Sequence, residues 1–528
     1  MNGRWILAAA LAALVAVLPG TSVAAEQSPK RSRVVEAKRS RVVEAGLQAR
    51  LGKENVNRRN ADGSTPLQWA VDEGNLAEVK RLLHAGADVS LANDYGATPM
   101  SLAAEVGDPD MIGLLLEAGA NADSPNPEGQ TALMAVARTG NVKAAQLLVD
   151  AGATVDAREH WGGQTALMWA SARRHPEMMR LLIANGADVN ARSAVRDYQR
   201  HVTAEGRPKN LDSGGLTPLL YAARENCLAC VDVLLTSGAD IDLPDPDDVS
   251  PLLVAIMNAN WDLARTLIDA GADVNEWDLF GEAPLFTAVN LRSRIDGGRA
   301  SIDPMNKAKG LDIVKLLLER GANPNMQLFF KPARARGPLN TRGATPLIRA
   351  ANDGDLEAVT LLLEHGADPT LYMADRQTPI HAVLAGRAPE PRALELIKLL
   401  HDAGTDVNVI ALVNHPEEIR GGTALHYAVR KRYKEVIKLL ASYGIDMNAV
   451  DQDGLTALDY TQSRGFMPFM ALQTPVYTEE AALLRELGAT KLLDRSPMWP
   501  VLGPPQGIWD DIWPLGEPQV HEPVYRHD

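Results

Sequence analysis

Between Gly343 and Asp368 the chain reads GATPLIRAANDGDLEAVTLLLEHGAD, and its apolar positions fall into two short helical stripes. Leu347, Ala350 and Ala351 stand at i, i+3 and i+4; after a break at Asp353-Gly354-Asp355, Leu356, Val359, Leu362 and Leu363 resume the same spacing. Thr345 offers an N-cap oxygen, and Pro346 at the first helical position brings a preset φ and gives up only an N–H that has no helical partner. Gly366 is placed to take the left-handed conformation that ends the second helix, and Asp368 opens a polar connection. Each predicted helix is about two turns long, too short to persist alone in water. Such a unit must bury its stripes against neighbours, so the pattern has to recur.

It recurs eleven times, starting at Thr65, Thr98, Thr131, Thr165, Thr217, Ser250, Ala283, Thr345, Thr378, Thr423 and Thr456. Where nothing is inserted the step is 33 residues, once 34. A helix-ending glycine closes every unit, at Gly86, Gly119, Gly152, Gly186, Gly238, Gly271, Gly321, Gly366, Gly404, Gly444 and Gly488. A 33-residue period of a turn and two helices, with Thr-Pro-Leu-x-x-Ala opening the first helix, resembles the ankyrin repeat. The resemblance spans residues 62–493. It implies an all-α repeat solenoid of about eleven helix-turn-helix units in a curved stack with projecting β-turn fingers. It also implies recognition of another protein through the fingers and inner helices.

Outside the regular units the chain changes character. Residues 1–25 read as a secretory signal peptide: Arg4, the apolar run Ile6–Leu18, a Pro19-Gly20 break, and small residues at Val23 and Ala25 for cleavage before Glu26. The alternative is an uncleaved anchor, for which the run is short. The expected location is the periplasm or the cell exterior, with no membrane span in the mature chain. Residues 26–61 are expected to form a basic linker and an N-terminal helical cap; Lys30–Ala45 repeats KRSRVVEA in tandem, either a solvated helix face or a contact for an acidic surface. Insertions interrupt the stack at 192–213, 293–309, 326–342, 386–392, 409–420 and 465–478. Residues 494–528 form a Pro-rich tail with Trp499, Trp509 and Trp513, which either folds back over the last unit or serves as a recognition segment.

Charge and chemistry narrow the function classes. A formal net charge of −14 argues against a general nucleic-acid or anionic-membrane binder. No phosphate-cradling glycine loop, His-Glu-x-x-His or Gly-x-Ser-x-Gly motif occurs, so no catalytic residue, metal or cofactor is expected. His381 and His426 follow Thr-Pro-Leu-like starts and are read as structural; Asp88, Asp188, Asp273 and Asp368 are read as turn residues. Cys227 and Cys230 are the only cysteines. By register Cys227 takes a polar turn position, filled elsewhere by Asn75, Asp108, Asn141, Asn260 and Asp355, and is expected to be exposed. In an oxidising compartment the pair is expected to form a local disulfide rather than remain two thiols.

The insertions at 192–213, 326–342 and 409–420 all fall on the finger side of their units. The first nets +2 and the second +4, a basic lip on an acidic protein. Arg196, Tyr198, Arg200, Arg207, Lys209, Phe329, Phe330, Lys331, Arg334 and Arg336 are the candidate partner-binding residues, because arginine with aromatics is a common interface composition. The alternative is solvated loops without a ligand. The apolar run Val409–Val413 must either pack on the stack or meet a partner. The expected function is a non-enzymatic protein-binding scaffold of the cell envelope or exterior. The rivals are a structural spacer or assembly subunit, a host-directed secreted effector, and an enzyme with its site in the inserted loops.

Overall fold

A computed structural model describes residues 56–199, 210–296, 306–328, 343–412, 421–452, 454–461 and 477–490. Ten helix pairs follow one another: α1 (Pro66–Asp72) with α2 (Leu76–His84), α3 (Pro99–Val106) with α4 (Pro109–Glu117), α5 (Ala132–Thr139) with α6 (Val142–Asp150), and α7 (Ala166–Ala172) with α8 (Pro176–Ala184). Strands β1 (Arg196–Gln199) and β2 (Asn210–Ser213) come next. The series resumes with α9 (Pro218–Arg224) and α10 (Leu228–Thr236), α11 (Pro251–Met257) and α12 (Trp261–Asp269), α13 (Pro284–Asp296) and α14 (Gly310–Glu319). It ends with α15 (Pro346–Asp353) and α16 (Leu356–Glu364), α17 (Pro379–Ala385) and α18 (Glu390–Asp402), α19 (Ala424–Lys431) and α20 (Lys434–Ser442). In the eleventh unit the first helix shrinks to a 3₁₀ turn, Asp459–Thr461, before α21 (Thr478–Glu486).

The predicted start signals act as written. Thr345 is extended, and its side chain accepts from the Ile348 N–H; Thr65, Thr98, Thr131, Thr165, Thr217, Ser250 and Thr378 do the same in their units. Satisfying one otherwise unpaired amide per helix start contributes about 1 kcal/mol each. Gly354 caps α15 at φ 75°, and Gly366 follows α16 at φ 85°, both in the left-handed region that a side chain resists. Leu347, Ala350, Ala351, Val359 and Leu362 are all buried in one core that runs the length of the stack.

Successive units are also tied by their connections. Asn57 Oδ1 accepts from the Asp88 N–H at 2.8 Å, Asp242 from the Asp273 N–H at 2.9 Å, Asn325 from the Asp368 N–H at 2.7 Å, and Asn448 from the Thr490 N–H at 2.9 Å. Asp88, Asp188, Asp273 and Asp368 in turn accept from the amides of Ser90, Asn190, Asn275 and Thr370. These carboxylates fold their own turns, as their register implies.

First helices of neighbouring units meet along more of their length than second helices do, which makes the first-helix side the concave one. Two insertions are partly helical rather than separate loops. Helix α13 runs on to Asp296, inside 293–309, and α18 begins at Glu390, inside 386–392. Arg292 on α13 explains part of this. Its guanidinium, 9% exposed, pairs with Asp355, the N-cap of α16, and with Glu357, so the α13 extension is clamped to the next unit. Among the described residues no helix is long and apolar enough to cross a membrane. The N-terminal segment before Val56, the 465–476 part of the last insertion and the tail lie outside the described residues.

Candidate partner-binding face

Each finger-side insertion leaves the stack from a pinned base. Within the 192–213 insertion, expected as loop, β1 and β2 pair antiparallel, Arg196 with Ser213, Asp197 with Asp212, Tyr198 with Leu211 and Gln199 with Asn210. Each arm holds a single apolar residue, Tyr198 on β1 and Leu211 on β2, so no polar–apolar alternation marks either as a strand in the sequence. At the second insertion the Leu328 N–H donates to the Ala344 carbonyl at 3.1 Å, and the Gly343 N–H to the Leu328 carbonyl at 2.7 Å. At the third, Ala411 and Gly422 form a bridge, and the Leu412 N–H donates to the Asp375 carbonyl at 2.6 Å. The apolar run there divides: Ala411 is fully buried, Leu412 half-buried and Ile410 37% exposed.

Of the candidate residues, Arg196 and Tyr198 stand two apart on β1, at positions that share one face of a pleated ribbon. Arg200, Arg207, Lys209, Phe329, Phe330, Lys331, Arg334 and Arg336 lie outside the described residues, as does Val413. Between the fourth and fifth units a small apolar cluster of Met168, Ala191 and Tyr221 separates from the main core. The Gln164 amide donates to the Tyr221 hydroxyl, and the Arg224 guanidinium lies 5.0 Å from the Tyr221 ring centre. The Gln164–Tyr221 bond joins the fourth unit to the fifth beside the point where the insertion leaves the stack.

Sequence reading missed the aromatic fingertips. Tyr95 is 62% exposed, Trp161 64% and Tyr372 46%, and on the concave side Trp69 is 44% exposed. A signal exists: Tyr95 and Trp161 each sit just ahead of a glycine in a finger, where the turn turns its side chain outward. Tyr372 instead lies on the arm of its finger, two residues ahead of the turn, and Trp69 on α1; exposed aromatics of this kind are the anchors that interfaces favour.

The cysteine expectation needs correction. Cys227 is 5% exposed and Cys230 fully buried, where an exposed Cys227 was expected. Cys227 is the N-cap of α10, and its sulfur accepts from the Cys230 N–H at 3.2 Å. The register position is polar because it caps a helix, and here a sulfur fills that role from inside. The structure joins the two residues in a disulfide.

Charge is uneven along the fingers. Burial, then the like charges of Asp242, Asp273, Asp248 and Asp240, push Glu276 up to about 7. Burial also raises Asp242, Asp245 and Asp248. The fingers after the fifth and sixth units, residues 238–249 and 271–282, hold five and four carboxylates and no Lys or Arg, and lie in sequence between the two basic insertions. His381 and His426 are fully buried. His381 Nε2 lies 3.2 Å from the Gly422 carbonyl and Nδ1 3.3 Å from the Thr378 amide; His426 makes the matching contacts to Leu455 and Thr423. They bind fingers to helices and are not placed to ligate. Among the described residues no His, Cys, Asp and Glu cluster could hold a metal ion. A depression lined by Ser101, Glu105, Gln130 and Ala135 offers about 10 Å³, far below the roughly 300 Å³ of a small-molecule site.

Comparison with known proteins agrees with this architecture. The family model described as ankyrin repeats (3 copies) matches residues 35–126, 101–193, 219–297, 305–411 and 385–466. The putative ankyrin repeat protein YahD of Escherichia coli is 30% identical over 37% of this chain and 82% of its own. The mouse B-cell lymphoma 3 protein homolog is 30% identical over 48% of this chain and 50% of its own. Ankyrin repeat protein nuc-2 of Neurospora crassa is 27% identical over 50% of this chain and 24% of its own. The chain thus spans half or less of the length of the larger relatives. Matched by the family model over most of its length, with helix pairs in successive registers, the chain belongs to the ankyrin repeat family.

Proposed function

We propose that this protein is a non-enzymatic scaffold of the cell envelope or exterior that binds another protein through its concave face and finger-side insertions. Ankyrin repeats act as protein-interaction modules, which supports a binding role. The observation that carries the choice of face is the placement of Tyr95, Trp161, Tyr372 and Trp69, large apolar side chains left in water on the fingers and the concave side. Leaving each wet forfeits roughly 1–2 kcal/mol of burial, so a partner that covers them gains that amount per anchor. The export assignment rests on the leader-like residues 1–25, and a buried disulfide at Cys227–Cys230 suits an oxidising compartment.

The test is crosslinking in the protein's own cells, comparing the natural chain with one in which residues 329–342 are replaced by a short Gly-Ser linker. Gln327 and Leu328 are retained, because Gln327 Nε2 donates to the Gly343 and Tyr372 carbonyls and Leu328 is buried. Loss of a crosslinked protein supports the basic lip as a recognition element. An unchanged set of adducts overturns it.

A further inference from the structure

The concave side of the first two units carries an apolar patch with an acidic rim. Trp69 is 44% and Val106 71% exposed, and Leu102 is half-buried. Trp69 and Leu102 hold the same register on α1 and α3, which pack side by side, and Val106 follows Leu102 by one helical turn. Asp72 and Glu73 lie three and four residues after Trp69, and Glu105 three after Leu102, so all three carboxylates border the patch; all are exposed. Glu105 pairs with Arg138 of the next unit. Asp72 and Glu73 pair with no cation among the described residues.

We propose that this patch is the docking site of the chain's own tandem octapeptide, residues 30–45. The segment has the complementary chemistry: six basic side chains against two acidic ones, and two Val-Val pairs, Val34-Val35 and Val42-Val43, each preceded by arginine. The valines suit the Trp69–Val106 surface, and the arginines suit a rim with unpaired carboxylates. It is also tethered within reach. Ten residues separate Ala45 from Val56, and α1 begins ten residues after that. Ten residues span roughly 35 Å when extended and roughly 15 Å as the helix expected of the cap, against about 10 Å between neighbouring packed helices. A short tether supplies an effective concentration of about millimolar, so weak contacts suffice. Docked there, the segment screens the N-terminal end of the groove, and a partner must displace it or share it. This goes beyond the partner-binding reading and stands without it, since the contact is within one chain.

The test is zero-length carbodiimide crosslinking of the purified protein, its N-terminus read by mass spectrometry, followed by peptide mapping. Expected are links from Lys30 or Lys38 to Asp72, Glu73 or Glu105. They should be independent of protein concentration and lost in about 0.5 M salt. They should also be lost in the variant Arg31→Glu, Arg33→Glu, Arg39→Glu, Arg41→Glu and, with the segment intact, in Trp69→Ala/Val106→Ser, each checked for native circular dichroism. Links to Glu78 or Asp88 would mean that the segment caps the end of the stack, and overturn the proposal. So would links that grow with concentration, which mark a second copy, or no links at all.

Discussion

Replacing His381 by Gln should flatten the acid sensitivity of the ninth and tenth units without weakening them at neutral pH. Burial holds the imidazole down to about 4, against 6.5 when free, with neighbouring His426 adding to the fall and the bond to the Gly422 carbonyl opposing it. Nδ1 accepts from the Thr378 amide, and Nε2–H donates to Gly422, so the neutral form fits both partners. The folded state therefore resists a proton that the unfolded chain accepts. Its stability is fully present above about 6.5 and is lost as pH falls towards 4. Across that window the loss is about 3 kcal/mol, at roughly 1.4 kcal/mol per pH unit. His426, whose imidazole burial also lowers, adds loss of the same sign. The first unit shows what Gln does at this register: Gln68 Oε1 accepts from the Thr65 amide at 2.7 Å, and Nε2 donates to the Ala97 carbonyl at 2.6 Å. His381→Gln keeps the same bonds without a titrating group. Because repeat stacks open unit by unit, the assay is hydrogen exchange of the α17 and α19 amides across this pH range. The natural protein should lose protection steeply on acidification and His381→Gln much less. Equal slopes would refute the assignment of acid sensitivity to this imidazole.

Three further outcomes follow from local geometry. Arg174, exposed between α7 and α8, holds φ 61° where Gly107 and Gly140 serve elsewhere, so Arg174→Gly should raise stability by about 1 kcal/mol in denaturant titration. Arg292→Ala leaves the nearly buried Asp355 carboxylate without its guanidinium and should cost about 3 kcal/mol, read as faster hydrogen exchange in α13 to α16. Glu276, raised to about 7, destabilises the fold as pH climbs from about 4.5 through 7. Glu276→Gln should therefore raise the melting temperature at pH 8 and leave it little changed at pH 5.

The stack was legible because its local signals agree with one another. Thr345-Pro346, the Leu347 and Leu356 stripes and Gly366 each specify one piece of the unit, and each piece is where its residue types place it. Features that depend on contacts between units were not legible. Arg292 reaches Asp355 across 63 residues, a distance no periodicity encodes. Cys227 looked exposed because its register neighbours are polar, yet capping polarity and exposure are different properties, and the Asn260 position is equally buried. The ribbon at Arg196–Ser213 was hidden because four-residue strands fall below the length at which alternation separates from chance.

The most direct test of the binding face is photo-crosslinking in the protein's own cells, with the probe placed in turn at Trp161, at Tyr372 and at Lys315 on the second-helix side. A shared partner adduct is expected from the two finger positions and none from Lys315. Adducts confined to Lys315, or equal from all three, would contradict it.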